Sequence, residues 1–126
     1  MARPPPLGPT SLALAVVAVL LVLPGCASPT SPSATVDRYL SAWSHADYSA
    51  MAALVVRPPS DFVTFNRQVA DDLDLERATY RPGTATVSGS GARVSVTGHL
   101  VLVPFGPLVL HTTLRLTDTA SGWRVL

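Results

Sequence analysis

Residues 92–103, ARVSVTGHLVLV, decide the fold, because their apolar and polar side chains alternate along most of the stretch. A period of two residues predicts a β-strand with one face on a core and the other in solvent. One apolar face of this strand is formed by Val94, Val96, Leu100 and Leu102. The stretch therefore predicts a half-buried strand of an antiparallel sheet.

The same period continues on both sides of this strand. It is seen in 78–89 (ATYRPGTATVSG), 108–117 (LVLHTTLRLT) and 123–126 (WRVL). Leu108, Leu110, Leu114 and Leu116 share one face of the third segment. Residues typical of turns separate the four segments at 89–91, 104–107 and 118–122. We expect an antiparallel meander of about four strands.

Helical spacing precedes the strands. In 35–43, TVDRYLSAW, the apolar residues fall at i, i+3, i+4 and i+7, the positions of Val36, Tyr39, Leu40 and Trp43. Asp37 is expected in the first turn, where the helix dipole favours an acid. This pattern predicts a first helix with one buried face.

Two more helices are predicted before residue 74. Asp47 is expected to cap a short helix in 45–56, ended by Pro58, with Tyr48, Met51, Leu54 and Val55 buried. Ser60 or Asp61 is expected to cap a helix in 60–73, with Phe62, Phe65, Val69 and Leu73 on one packed stripe. The fold class is therefore α+β, with about three helices on one face of a curved sheet.

The amino terminus predicts export. The apolar run 12–23 is too short for a membrane span, which needs about 20 residues, but suits the hydrophobic region of a signal peptide. We assign residues 1–25 to this signal. Residues 26–34, rich in Ser and Pro, are expected to form an extended tether before a domain at 35–126.

Cys26, the chain's only cysteine, follows Leu23-Pro24-Gly25 and resembles the cysteine of a bacterial lipobox. This resemblance implies lipid modification at Cys26 and anchoring to the outer face of the cytoplasmic membrane. Two acyl chains hold a protein on a bilayer where one lets it leave. The alternative is an ordinary signal peptide with an incidental cysteine. A single cysteine excludes an intrachain disulfide.

Charge argues against nucleic acid as a partner. The nine basic residues are all arginine, and eight acidic residues leave a net charge of +1. Scattered arginines on a nearly neutral chain give no basic patch for a phosphate backbone.

The candidate residues for chemistry are few. His99 and His111 lie in adjacent predicted strands, among polar neighbours, so they are expected on one face and close together. His45 lies beside Asp47, and a His-Asp pair for proton abstraction or a simple helix cap both fit this spacing. No third metal ligand is in register with the strand histidines, so neither a metal nor another cofactor is predicted. Trp43 and Trp123 are expected to be core aromatics.

Two segments carry a resemblance to a known family: YLSAWSHADYSAMAAL at 39–54 and SGWRV at 121–125. They resemble the nuclear transport factor two-like N-terminal domain of class B penicillin-binding proteins, the MecA-type domain. The resemblance spans about residues 34–126 and implies a cone-shaped fold. In that family the domain is a non-catalytic pedestal between a membrane anchor and a peptidoglycan transpeptidase that β-lactams acylate.

This chain departs from that family in one respect. The transpeptidase needs Ser-x-x-Lys and Lys-Thr-Gly, and the chain has no lysine. It is therefore not expected to be an enzyme. We interpret it as a domain truncated at its carboxyl end, or as a stand-alone lipoprotein, with a transpeptidase or another envelope protein as partner.

The alternative is a small pocket binder or enzyme resembling polyketide cyclases or steroid isomerases, which use a cavity under a concave sheet. Asp47, His99 and His111 would then face that cavity, with a shifted pKa as the sign of an active group.

Overall fold

Three helices precede four strands in residues 31–126, the part of the chain that this computed structural model describes. The helices are α1 (Pro32–Ser44), α2 (Tyr48–Ala52) and α3 (Phe62–Asp72). The strands are β1 (Leu75–Ser88), β2 (Gly91–Leu102), β3 (Gly106–Thr119) and β4 (Gly122–Val125). The predicted signal peptide, Cys26 and the first part of the tether lie outside the described residues.

The strands form one antiparallel sheet in the order β1-β2-β3-β4, which confirms the predicted meander. Val94 pairs with Leu114 and Leu100 with Leu108, so the two predicted apolar faces coincide. β1 begins at Leu75, three residues before the predicted start. The α+β class is confirmed.

The side chains of β2 alternate in burial as the period of two predicts. Val94 and Val96 are buried in the cluster that also holds Val36 and Met51 from the helices, whereas Arg93 is exposed on the opposite face. Trp123 on β4 is buried in the same cluster, which confirms it as a core aromatic. The core therefore lies between the helices and one face of the sheet.

α1 buries the predicted face, but it begins earlier than its apolar spacing indicates. Ser31 is the N-cap and accepts a hydrogen bond from the Ala34 N–H at 3.1 Å, and Pro32 occupies the first turn. The first turn thus contains no acid, so the expected placement of Asp37 there is wrong. The helix also takes in residues 32–34 of the predicted tether.

α2 has the predicted cap and a shorter body. The Asp47 carboxylate accepts a hydrogen bond from the Ala50 N–H at 3.1 Å. The helix ends at Ala52 rather than near the prolines, because the following residues bond to β4 instead. Val56 N–H donates to the Val125 carbonyl and Val125 N–H donates to the Leu54 carbonyl, both at 2.8 Å.

α3 departs from the prediction in the face that it buries. Phe65, Val69 and Leu73 are 61%, 38% and 45% exposed, and no residue of this helix is fully buried. Its half-buried face is instead formed by Phe62, Val63, Asn66 and Ala70. The expected packed stripe is therefore wrong except at Phe62. At the start of the helix, Asp61 is the N-cap, but its side chain makes no capping hydrogen bond.

Candidate functional site

A group of aromatic side chains packs where α1, α2 and β1 meet. The Trp43 and Tyr80 rings are stacked, with centroids 4.3 Å apart and planes 19° apart. Tyr39 meets Trp43 edge to face at 6.0 Å. Tyr48 is buried at the start of α2. Tyr39, Tyr48 and Tyr80 are all the tyrosines of the chain. We call Tyr39, Trp43, Tyr48 and Tyr80 the aromatic cluster.

Gly98 lets this cluster approach the sheet. It lies directly opposite Tyr80 in the β1–β2 register. A Cβ at position 98 would stand 3.1 Å from two atoms of the Tyr80 ring, closer than an ordinary contact. Glycine at this strand position is thus explained by the close approach of a side chain.

Tyr39 and Tyr80 of the cluster have pKa values above the ordinary value of 10.0. Burial raises the pKa of Tyr80 to about 12, and the nearby Tyr48 and Tyr39 hydroxyls add to this rise. Burial also raises the pKa of Tyr39. At neutral pH these groups are hydrogen-bonding hydroxyls and not general bases.

A groove of about 380 Å³ opens beside the cluster, between α1, α2, α3 and β1. Trp43 and Tyr48 contribute its aromatic wall. Four charged residues of both signs also line it: Arg67, Asp71, Glu76 and Arg77. Its volume falls within the usual range of small-molecule sites, about 300 to 1,000 Å³. We call it the mouth groove.

The sequence did not single out the mouth groove. α3 and β1 bring Arg67 and Arg77 together with Trp43, although each arginine is isolated in the sequence. The sequence feature that could have indicated this groove is Tyr80, an aromatic residue in the apolar phase of a predicted strand. The first predicted helix also carries aromatic residues, Tyr39 and Trp43. Its stacking on Trp43 depends on the tertiary arrangement.

Asp47 lies on the helical side of the molecule, away from the sheet. Besides capping α2, it lines an open groove of about 500 Å³ between α1 and α2, together with His45. Nδ1 of His45 lies 2.7 Å from the Ser41 carbonyl oxygen, in the last turn of α1. Both side chains are exposed. A pocket role for Asp47 stays a prediction.

His99 and His111 share the outer face of the sheet, opposite the helices. His99 is directly opposite Val109, two residues from His111, so the histidines are diagonal neighbours. Both are exposed, and Nδ1 of His111 lies 3.4 Å from Oγ1 of Thr97. This arrangement agrees with their polar phase in the sequence, and their role likewise stays a prediction.

The polar interior of residues 31–126 is small. Thr35 is the buried polar residue of this part of the chain, and its Oγ1 donates a hydrogen bond to the Trp123 carbonyl at 2.9 Å.

Within the same residues, no three His, Cys, Asp or Glu side chains are grouped so that they could hold a metal ion. None of the described helices is long and apolar enough to cross a membrane.

Comparisons by sequence identify no relative: no protein-family model and no curated protein matches the chain. Solved structures do match. One is a ketosteroid isomerase-like fold from Catenulispora acidiphila in complex with trimethylamine, with a TM-score of 0.60 and 11% identity over 75% of this chain and 82% of that one. A second, described as a dehydratase of the nuclear transport factor two-like family from Streptomyces avermitilis, has a TM-score of 0.55 and 14% identity. That match covers 72% of this chain and 85% of the other.

This chain has the nuclear transport factor two-like fold. A third match comes from Thiobacillus denitrificans. It is described as a calcium/calmodulin-dependent protein kinase type II association domain, and its description names no enzymatic activity of the domain itself. Its TM-score is 0.61, with 17% identity over 80% of this chain and 93% of that one. One fold thus carries different functions, and the fold alone does not select among them.

Proposed function

We propose that this nuclear transport factor two-like domain is a non-catalytic module of the cell envelope, held at the membrane by a lipid on Cys26. In this role it is a pedestal for a peptidoglycan transpeptidase of the penicillin-binding class that is carried on a separate polypeptide. The proposal rests on the resemblance of residues 39–54 and 121–125 to the MecA-type domain, and on the contents of the cone.

The observation that supports a structural role is the packing of aromatic rings between the helices and the sheet. Enzymes built on a concave sheet need a cavity with an acid or base inside it. Here the Trp43 and Tyr80 rings stack with centroids 4.3 Å apart and pack against the core cluster, which contains Tyr39 and Tyr48. Among the described residues, the histidines and Asp47 are exposed on other surfaces. Such packing suits a domain that acts through its outer surfaces.

The membrane part of the proposal is tested by Cys26→Ser. If Cys26 carries the lipid, this variant will leave the membrane fraction or accumulate as uncleaved precursor. Ser28→Ala, two residues further along, is the control and should fractionate as the wild type does. Unchanged processing and fractionation of Cys26→Ser would contradict the lipid anchor.

The partner is tested by photocrosslinking in cells of the producing bacterium. A photoreactive amino acid is placed in turn at Phe65 on α3 and at His99 on the outer sheet face, both exposed and on separate surfaces. After irradiation, membranes are treated with a fluorescent penicillin. A pedestal will give, from at least one position, a fluorescent band heavier than any present without irradiation.

Excess unlabelled penicillin, the control, must abolish the fluorescence of that band. Fluorescent bands identical with and without irradiation at both positions would contradict the transpeptidase partner. The result of Cys26→Ser is independent of this outcome, so the anchor and the partner are tested separately.

The mouth groove favours a second candidate, a binder of small ligands. Its aromatic wall, formed by Trp43 and Tyr48, is the surface on which an organic cation would stack. Asp71 and Glu76 provide negative charge in the groove, which Arg67 and Arg77 balance. The similar structure from Catenulispora acidiphila was solved with trimethylamine. We therefore name small alkylammonium ions as the ligand class for this candidate.

This candidate is tested by titrating the protein with trimethylammonium chloride and following both indole N–H signals by NMR. Binding in the mouth groove will shift the Trp43 signal saturably and leave that of Trp123, which is buried under α1, in place. Tyr48→Leu should weaken the shift by removing part of the aromatic wall. A linear drift of both signals would exclude this ligand class.

A further inference from the structure

Charge is divided between the helical half of the domain and its sheet. Residues 31–76 carry seven acidic residues and three arginines, whereas residues 77–126 carry five arginines and one acidic residue. That acid, Asp118, is two residues from the buried Leu116 and thus in the phase of β3 that faces the helices. The outer face of β2 and β3 therefore presents arginine and no acidic residue.

The strand register places two of these arginines directly opposite each other. Arg93 on β2 pairs with Arg115 on β3, and both side chains are exposed on the outer face. The Arg115 carbonyl accepts a hydrogen bond from the Leu126 N–H on the β4 side, so Arg93 and Arg115 form a non-hydrogen-bonded pair. The Cα atoms of such a pair lie about 4.5 Å apart, the closer of the two spacings in an antiparallel sheet. We call these two residues the arginine pair.

The arginine pair carries an uncompensated charge. Like charges directly opposite each other on neighbouring strands destabilise a sheet. Within residues 31–126, neither guanidinium group makes an ion pair or a hydrogen bond. A bound anion would relieve this repulsion, because it would attract both side chains at once.

Hydroxyl groups surround the arginine pair. Thr86 on β1 lies opposite Arg93, on the side away from Arg115. Ser95 and Thr113, which pair with each other, are the next outward residues along β2 and β3, about 6.5 Å from the arginines. A groove of about 480 Å³ lies over this part of the sheet, and its lining includes both arginines and Thr86. Two charged donors and a hydroxyl thus line one concave surface.

We propose that the arginine pair binds a phosphate monoester group. At neutral pH such a group carries about −1.5 to −2 charges, close to the two positive charges of the pair, whereas a carboxylate would leave one guanidinium uncompensated. Guanidinium groups bind phosphate oxygens through two parallel N–H donors, and the Thr86 hydroxyl donates to a remaining oxygen. One pair of arginines suits a single phosphate group and not the repeating phosphates of a nucleic acid backbone.

Binding is tested with glycerol 3-phosphate as the probe. The full chain with Cys26→Ser, which removes the proposed lipid, is titrated while the arginine Nε–H signals are followed by NMR. We expect two signals to shift saturably, and these should be the signals missing from the spectra of Arg93→Gln and Arg115→Gln. Each of these substitutions should weaken binding at least tenfold. Acetate, the carboxylate probe, should bind at least fivefold more weakly than glycerol 3-phosphate.

Arg81→Gln is the matched control. Arg81 is an exposed arginine of β1, opposite Thr97, and is separated from the arginine pair along the sheet. Its substitution removes the same charge and should change the affinity less than twofold. Arg93→Lys keeps the charge but loses the two parallel donors, so it should weaken binding less than Arg93→Gln does.

A stability measurement separates weaker binding from misfolding. Without phosphate, the urea midpoint of Arg93→Gln should equal or exceed that of the Cys26→Ser parent, because the substitution removes the like-charge repulsion. Saturating glycerol 3-phosphate should raise the midpoint of the parent and leave that of Arg93→Gln unchanged. An equal rise for both proteins would place the binding elsewhere and contradict the proposal.

Vesicles distinguish a lipid headgroup from a soluble ligand. The Cys26→Ser protein is mixed with vesicles of phosphatidylcholine, with or without phosphatidic acid, whose headgroup is a phosphate monoester. Extra flotation with phosphatidic acid that Arg93→Gln and Arg115→Gln lose, and Arg81→Gln keeps, would assign the site to a lipid headgroup. Binding of glycerol 3-phosphate without this extra flotation would assign it to a soluble ligand. Both outcomes support the arginine pair as a phosphate site.

Three outcomes of the titration overturn the proposal. A linear drift of the signals without saturation would show that the arginine pair is not a binding site. An equal loss of affinity in Arg81→Gln would show attraction to the whole cationic face. Acetate that binds as tightly as glycerol 3-phosphate would show that the ligand class is wrong. None of these results bears on the Cys26 anchor or on the transpeptidase partner.

Discussion

α1 and α3 have similar apolar spacing in the sequence and opposite fates in the structure. α1 contacts β1, β2, β4 and α2, and its Val36 is fully buried. α3 contacts chiefly α2 and β1, and its Phe65 is 61% exposed. The period of a helix therefore shows which side chains share a face, but not whether another element covers that face.

The difference follows from the position of each helix on the sheet. α1 lies over the inner face, so strands surround its apolar stripe on several sides. α3 lies at the margin and packs by Phe62, Val63 and Ala70, a face rotated from the stripe that its sequence indicates. If this contrast is correct, substitutions under α1 will cost much more stability than substitutions on the α3 stripe.

The largest effect is expected for Trp123→Ala, which removes the buried ring beneath α1. The loss should be about 3 to 5 kcal/mol, from lost transfer energy and the cavity left behind. Chemical denaturation followed by circular dichroism measures it. A loss below about 1 kcal/mol would mean that the ring contributes little to the core.

Leu40→Ala tests α1 itself. Leu40 is 4% exposed, and its truncation should cost about 2 to 5 kcal/mol. Ser41→Ala, the adjacent exposed position on the same helix, is the control and should stay within about 0.5 kcal/mol of the wild type. Similar urea midpoints for the two variants would remove the distinction between the faces of α1.

Thr35→Val probes the hydrogen bond that joins α1 to β4. The substitution keeps the shape of the side chain but leaves the Trp123 carbonyl without the Thr35 donor at 2.9 Å. The carbonyl keeps a second donor, Nη1 of Arg124 at 2.9 Å, so the expected loss is that of one hydrogen bond, about 0.5 to 1.5 kcal/mol. Thr35→Ser, which retains the hydroxyl, should lose less, and the reverse order would assign the effect to the methyl group.

High pH tests the contact of α1 with β1 through the Trp43–Tyr80 stack. Tyr80 has a pKa of about 12 in the folded protein, above the ordinary value of 10.0, so the folded state holds this proton more tightly. Its contribution is present below pH 10 and is lost between about pH 10 and 12 as the unfolded state ionises first. Tyr80→Phe should therefore lose less stability than the wild type between pH 9 and 11.5. Parallel losses would contradict this assignment.

The smallest effect is expected for Phe65→Ala on α3. The ring is largely in solvent, and the change should cost less than about 1 kcal/mol, compared with 3 to 5 for a buried aromatic. Phe62→Ala, on the half-buried face of the same helix, is the matched comparison and should cost more. A larger loss for Phe65→Ala would show that its stripe is covered in solution.

The sheet was the most predictable part of the fold. A period of two specifies both the strand and its buried face, and turn residues separated the four strands close to their observed ends. The ends of helices were less predictable, because hydrogen bonds to distant residues decide them. Leu54 and Val56 leave the helical pattern because their backbone groups bond to Val125.

The candidate site was predictable only in part. The polar phase of β2 and β3 correctly placed His99 and His111 together on the sheet face away from the core. The mouth groove was not predictable, since its side chains come from three helices and a strand that are separated in the sequence. The stack of Trp43 on Tyr80 also needs Gly98 on a third element to make room.

By itself, the sequence determined the order of helices and strands, the inner face of the sheet and the cap of α2, because these depend on near neighbours and on periodicity. Only the tertiary structure decided that α3 exposes its apolar stripe and that Trp43 stacks on Tyr80. Those features depend on which surfaces meet across the molecule. That choice is set by the summed packing of the whole domain, which no local pattern encodes.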